Sequence, residues 1–204
     1  MEFEQDQCTT TESPDQGRRR FLLASTCVVG GLGAACAVTP LLSSWLPSAK
    51  AQASGAPVEV DLSKMEPGEQ AVVAWRGKPV WIIRRTREML DQLDLNNSKL
   101  RDPDSLVAQQ PEYAQNKYRS INPEYLVLIG ICTHLGCSPK YKPSLQQLGP
   151  EWPGGFFCPC HGSTFDLSGR VFKGVPAPIN LEVPPYYFIN QHTLVIGAES
   201  PKGA

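Results

Sequence analysis

The chain has 204 residues, 41% of them hydrophobic, with 19 prolines, 17 glycines, 7 cysteines and 3 histidines. A formal net charge of −1 argues against nucleic-acid binding, which leaves a basic patch on a domain. The apolar content excludes a disordered chain, and prolines and glycines between short apolar runs point to a loop-rich β protein: one modest domain with an appendage.

The appendage is N-terminal. Residues 1–17 are polar and hold Glu2, Glu4, Asp6, Glu12 and Asp15. With Arg18, Arg19 and Arg20 they are expected to form a cytoplasmic tail over residues 1–20. No charged residue occurs from Phe21 to Ala49. Residues 21–46 can cross a bilayer core as one helix, for which about 20 apolar residues suffice. Arginines ahead of such a helix stay inside, which places the C-terminal part outside. Arg18-Arg19-Arg20-Phe21-Leu22 also fits a twin-arginine export signal. Ala49-Lys50-Ala51 offers a cleavage site, which would release the remainder. Gly30, Gly31, Gly33, Ala34 and Ala35 form a small-residue surface for close helix packing. Cys27 and Cys36 read as small buried fillers, and Cys8 receives no role.

Residues 47–57, rich in Ala, Ser, Gly and Gln, read as a flexible hinge linker. The exported domain then runs over 58–204. Strands are expected at 58–62, 70–75 and 80–84, with Arg76-Gly77-Lys78-Pro79 as the turn between the last two. Thr86 caps a helix to about Leu93, with Met89, Leu90 and Leu93 on one face. Residues 96–119 read as irregular. A strand over 125–131 delivers the first of two boxes, Cys132-Thr133-His134-Leu135-Gly136-Cys137. A proline- and glycine-bearing loop over 138–157 leads to the second, Cys158-Pro159-Cys160-His161-Gly162-Ser163. Strands at 170–172, 179–183, 186–190 and 193–197 complete the sheets, with His192 an exposed turn residue. The boxes are therefore loops at one end of a β scaffold, in a part spanning about 130–178. Gly136 and Gly162 permit a tight backbone, and Gly174-Val175-Pro176-Ala177-Pro178 makes a third, stiffened loop over them. Leu135 at a loop tip either docks a membrane partner or packs inward.

The boxes contain four cysteines and two histidines. Two thiolates and two imidazoles suit a 2Fe-2S centre in which histidines replace cysteines on one iron. An oxidised four-thiolate cluster is a dianion. Exchanging two thiolates for neutral imidazoles removes that charge and eases reduction, from roughly −400 mV to about −150 to +300 mV. A ligating imidazole keeps a second nitrogen whose proton affinity follows the iron charge, so an electron and a proton can arrive at one site. Structural zinc is the competing assignment, but six candidate ligands exceed a tetrahedral site by two.

The boxes resemble those of the Rieske iron–sulfur subunits of quinol:cytochrome c oxidoreductases, the cytochrome bc complexes. Trp75-Arg76-Gly77-Lys78-Pro79-Val80, Arg84-Arg85-Thr86, Gly174 to Pro178 and Leu181-Glu182-Val183-Pro184 extend the resemblance over nearly the whole chain from Arg18 onward. It implies an all-β fold: a Rieske-type antiparallel β-sandwich with a cluster-binding subdomain of loops, plus one N-terminal transmembrane helix kept as an anchor. It implies one 2Fe-2S cluster, with Cys132 and Cys158 on one iron and His134 and His161 on the other. It further implies a Cys137–Cys160 disulfide and a hydrogen bond from Ser163 to a cluster sulfide. His161 would be the quinol's hydrogen-bond partner, with His134 the other exposed ligand. Phe165 stands where many quinol-oxidising relatives carry a tyrosine that bonds a ligand sulfur.

The partners so implied are ubiquinol, a cytochrome b subunit and a c-type cytochrome subunit, within a dimeric multi-subunit complex of a respiratory or photosynthetic chain. A cofactor inserted in the cytoplasm requires export of a folded domain, and a disulfide requires an oxidising compartment. These features agree on a bacterial inner membrane with the Rieske domain in the periplasm. Two other readings are the Rieske small subunit of a periplasmic molybdenum oxidase and a soluble Rieske carrier. The latter usually lacks both the disulfide pair and an anchor; residues 75–79 and the long helix favour the bc complex over the former.

Overall fold

The computed structural model describes residues 15–48, 51 and 55–199. The tail before Asp15, with Cys8, and residues 49, 50 and 52–54 of the cleavage site and linker fall outside these. The chain divides after Ser48 into two units.

The first unit is the helix α1, Gln16–Ser43, 28 residues long. It begins five residues before the expected start, because the Asp15 carboxylate accepts hydrogen bonds from the Gly17 and Arg18 amides. That cap satisfies the first free amides ahead of the arginines, so Arg18 to Arg20 lie within the helix. Its end comes earlier than expected as well. The hydroxyls of Ser43 and Ser44 donate to the carbonyls of Pro40 and Leu41, which helps satisfy the carbonyls of the last turn. Thr26 and Thr39 likewise donate to the carbonyls four residues back, so neither hydroxyl is left free in the apolar stretch. The helix is long and apolar enough to cross a membrane. Cys27 and Cys36 are exposed rather than buried, since a single helix has no interior.

The second unit is built on three antiparallel sheets of three strands each, in the orders β1-β9-β8, β2-β3-β4 and β5-β6-β7. Strands β1 (Val58–Asp61), β2 (Gln70–Trp75), β3 (Lys78–Arg84), β4 (Tyr125–Ile129), β8 (Tyr186–Asn190) and β9 (Thr193–Ile196) fall where alternation and β-branched content place them. The β2–β3 turn is tighter than expected. Arg76 (φ 50°) and Gly77 (φ 72°) alone make it, and Lys78 and Pro79 already pair with Trp75 and Ala74. Positive φ at both central residues is the turn that matches strand twist. Helix α2, Arg87–Leu95, is capped by the Thr86 hydroxyl, which accepts from the Met89 amide; it buries Leu93.

Three expectations need correction. The inter-box stretch is no mere loop: it contains β5 (Lys140–Lys142) and β6 (Gly155–Phe157), and β7 (Thr164–Phe165) follows the second box. Strands of two or three residues are too short to show a period. Residues 179–183 form no strand: the Leu181 and Val183 amides donate to Gly169 and Gln109, two unrelated carbonyls, and the flanking prolines cannot donate at all. Residues 170–172 contribute only isolated bridges, Phe165 with Val171 and Leu100 with Phe172.

One buried cluster joins the sheets. Ile82, Leu126 and Leu128 come from the second sheet, Tyr186, Leu194 and Ile196 from the first, and Phe156 and Phe165 from the third. Each such side chain contributes about 1.5–3 kcal/mol by leaving water. The Trp81 and Phe156 rings stack with centroids 5.2 Å apart. This contact fastens the small sheet to the scaffold directly behind the boxes.

Candidate metal centre

Strand β4 ends at Ile129 and hands the chain to box 1 through Gly130. A methyl on Gly130 would overlap the Trp81 ring, so only glycine lets the chain turn there. Gly155 has the same role before box 2: its φ is 145°, and a methyl would overlap the Phe165 carbonyl. Neither glycine stood out in the sequence, because the partner that excludes a side chain lies far along the chain.

The two boxes close with one backbone pattern. In box 1 the Cys132 amide donates to the Cys137 carbonyl (2.7 Å), and the Gly136 amide to the Cys132 carbonyl (3.0 Å). In box 2 Cys158 donates to Ser163 (2.8 Å), and Gly162 to Cys158 (3.0 Å). Gly136 (φ 83°) and Gly162 (φ 77°) occupy the left-handed region, which a glycine enters without steric cost. Cys137 and Cys160 form a disulfide across the two loops, with Cα atoms 6.6 Å apart.

This frame sorts the predicted residues by depth. Cys132 and Cys158 are each 2% exposed. His134 is half-buried and His161 exposed. The two imidazoles meet edge to face with centroids 4.8 Å apart. The Sγ atoms of Cys137, Cys158 and Cys160 lie within 4.8 Å of one another, but two of them are consumed in the disulfide, leaving Cys158 as the free thiol of that group. Burial pushes the Cys132 thiol above its ordinary range, and the neighbouring Cys158 thiol adds to the rise; the His134 amide and the Ser163 hydroxyl oppose it. Two buried sulfurs side by side call for a cation to hold them as thiolates. The donor set of two sulfurs and two nitrogens fits a Rieske 2Fe-2S centre.

Ser163 is fully buried. Its hydroxyl accepts from the Ala177 amide at 3.0 Å, which ties box 2 to the loop over 174–178, and it lies close enough to the Cys132 thiol to lower that group's pKa. Thr133 ties box 1 to the same region by donating to the Ile179 carbonyl at 2.7 Å. Phe165 is completely buried and pairs with Phe156. Leu135, by contrast, is 71% exposed and points outward from the loop tip.

Comparisons with known proteins agree with this geometry. Residues 58–185 match the Rieske 2Fe-2S domain family. Residues 8–48 match a second family, described as "Ubiquitinol-cytochrome C reductase Fe-S subunit TAT signal". The ubiquinol-cytochrome c reductase iron-sulfur subunit of Allochromatium vinosum is 58% identical over 184 residues, covering 89% of each chain. The subunit of the same name from Bradyrhizobium diazoefficiens is 42% identical, covering 93% of this chain and 99% of its own length. That from Rhodospirillum rubrum is 38% identical, covering 95% and 99%. With a two-sulfur, two-nitrogen donor set on paired loops and identities of this size over almost the full length, the chain belongs to the Rieske iron–sulfur subunits of ubiquinol–cytochrome c reductase.

Proposed function

We propose that Cys132 and Cys158 ligate one iron of the cluster and His134 and His161 the other, and that the domain takes an electron from ubiquinol beside a cytochrome b subunit and delivers it to a c-type cytochrome. The observation that carries this reading is the sorting by depth: both thiols lie inside the paired loops and both imidazoles at their rim. The bound cluster supplies one-electron chemistry in the range of the imidazole-ligated centres.

The chain's own groups do the rest. His161, the more exposed imidazole, accepts the hydrogen bond of the quinol hydroxyl and takes up its proton at the ring nitrogen not used by iron. Leu135, exposed beside it, supplies an apolar contact for a membrane-embedded partner. The Ser163 hydroxyl stabilises the more negative, reduced state by donating toward the sulfur ligands. The disulfide and the loop over 174–178 keep water from the thiolates.

For the N-terminal unit the same reading gives a tail over residues 1–20 on the cytoplasmic side. Helix α1 anchors it in a bacterial inner membrane, with a linker over 47–57 as tether. The domain over 58–204 is carried to the periplasmic face by a twin-arginine signal, and the complex is dimeric.

The test is cluster analysis of the full chain purified from membranes. One 2Fe-2S cluster with nitrogen and sulfur ligation is expected by EPR and labile-sulfide assay, and His134→Ala or His161→Ala should abolish it. Zinc without labile sulfide in the wild-type chain overturns the assignment.

A further inference from the structure

Three arginines, Arg85, Arg119 and Arg170, are at most 2% exposed, and their guanidinium groups converge on residues 166–170, directly downstream of box 2. Arg170 is matched: its Nε donates to the Asp166 carboxylate at 2.8 Å, and its Nη2 lies 2.8 Å from the same oxygen in an ion pair. Asp166 is also fully buried, and it spends its other oxygen on the Ser168 and Arg170 amides. Among the described residues the other two have no carboxylate within hydrogen-bond reach. Arg85 donates to the Pro123, Tyr118 and Leu167 carbonyls and to the Ser120 and Ser168 hydroxyls. Arg119 makes only long bonds to the Ser168 and Gly169 carbonyls (3.3 and 3.4 Å), besides one to Gln110 Oε1 (3.0 Å). Its Nε has no partner.

Arg119 is an expensive residue for so few contacts. An uncompensated buried charge costs several kcal/mol. Its backbone adds strain, with φ at 50°, in a region that disfavours any residue with a Cβ by about 1–2 kcal/mol. Burial lowers its pKa to about 10, with Asp102 and Asp166 only partly countering it, so the group is still charged at neutral pH. A glycine or a neutral side chain would suit the position better on packing grounds. What remains to justify it is its charge and where that charge stands. Ser168 lies five residues beyond Ser163, a span of at most about 17 Å, and a buried charge is screened by salt far less than a surface one.

We propose that Arg119, with Arg85 beside it, raises the electron affinity of the cluster through its permanent positive charge, which favours the reduced and more negative state. This rests on the ligand assignment above. Arg119 is thus a tuning residue that touches neither the ligands nor the quinol.

The test is a redox titration, followed by EPR, of the full chain with Arg119→Met and Arg119→Lys. The methionine variant should titrate at a lower potential. The lysine variant should return most of the way to wild type, while thermal unfolding shows both variants similarly destabilised. Equal midpoint shifts in the two variants, or no shift in the methionine variant, overturn the proposal. Should Arg119→Met not fold, Ser168→Asp sets a carboxylate against the Arg85 guanidinium, which now meets Ser168 Oγ at 2.9 Å. It should also lower the midpoint, and an unchanged midpoint counts against the charge effect. Failure of the ligand assignment shows differently, as a wild-type chain without a cluster.

Discussion

The two cluster loops share a backbone ring and differ in what they mount on it. In both, the first cysteine donates to the sixth residue's carbonyl and the glycine at the fifth position donates back. Box 1 then carries histidine third and cysteine sixth, whereas box 2 carries cysteine third, histidine fourth and serine sixth. The disulfide therefore joins the sixth position of one ring to the third position of the other. The serine takes the place that the bridging cysteine has in box 1, and its hydroxyl lies near the opposite loop's buried sulfur while accepting from the Ala177 amide. The same frame thus makes a bridge on one side and a buried hydroxyl on the other. Position in the ring separates a buried free thiol from a bridging one, and residue type alone cannot.

Breaking the bridge tests the comparison most severely. Cys137→Ser opens a link between residues 23 apart, and a loop of that size is worth about 3 kcal/mol in the chain-entropy account. Denaturant unfolding of the exported domain should show a loss near that value. A loss below about 1 kcal/mol would mean that the shared rings hold the loops together without it.

A smaller effect sharpens the claim that the rings are alike. Gly136 and Gly162 both have positive φ, and neither has an atom within 4 Å of where a Cβ would sit. Alanine at either should cost only the left-handed strain, about 1–2 kcal/mol, and the two losses should agree within error when measured by thermal unfolding. A clear inequality would show that the rings are not equivalent.

The smallest effect concerns the downstream end of box 2. Phe165 is fully buried and has no hydroxyl to offer a ligand sulfur. A net hydrogen bond contributes about 0.5–1.5 kcal/mol, and roughly 59 mV corresponds to 1.4 kcal/mol for one electron. Only the difference between redox states counts, so Phe165→Tyr should raise the midpoint by about 20–60 mV in a redox titration. An unchanged or lower midpoint would show that position 165 does not point at a ligand sulfur.

Much of this arrangement was legible in the chain itself. Alternating apolar runs located β1 to β4, β8 and β9, and Thr86 marked the start of α2, since period and capping are local properties. The boxes announced their chemistry because cysteines and histidines at such spacing have few other uses. The helix bounds were less legible: Asp15 and the serines near its end outweigh hydropathy in deciding where it starts and stops. The small sheet β5-β6-β7 was invisible, because strands of two or three residues show no period, and β6 takes one of its partners from across the second box.

The residue sequence by itself determined the donor set, the one apolar helix and the order of the long strands, all of which depend on neighbours within a few positions. The family resemblance already implied the Cys137–Cys160 bridge, which the structure bears out; only the tertiary structure decided that Gly130 and Gly155 must lack side chains, and that Arg85 and Arg119 stand buried with no carboxylate in hydrogen-bond reach among the described residues. Those facts depend on contacts between residues from 10 to more than 80 positions apart, and such contacts leave no period or spacing to read.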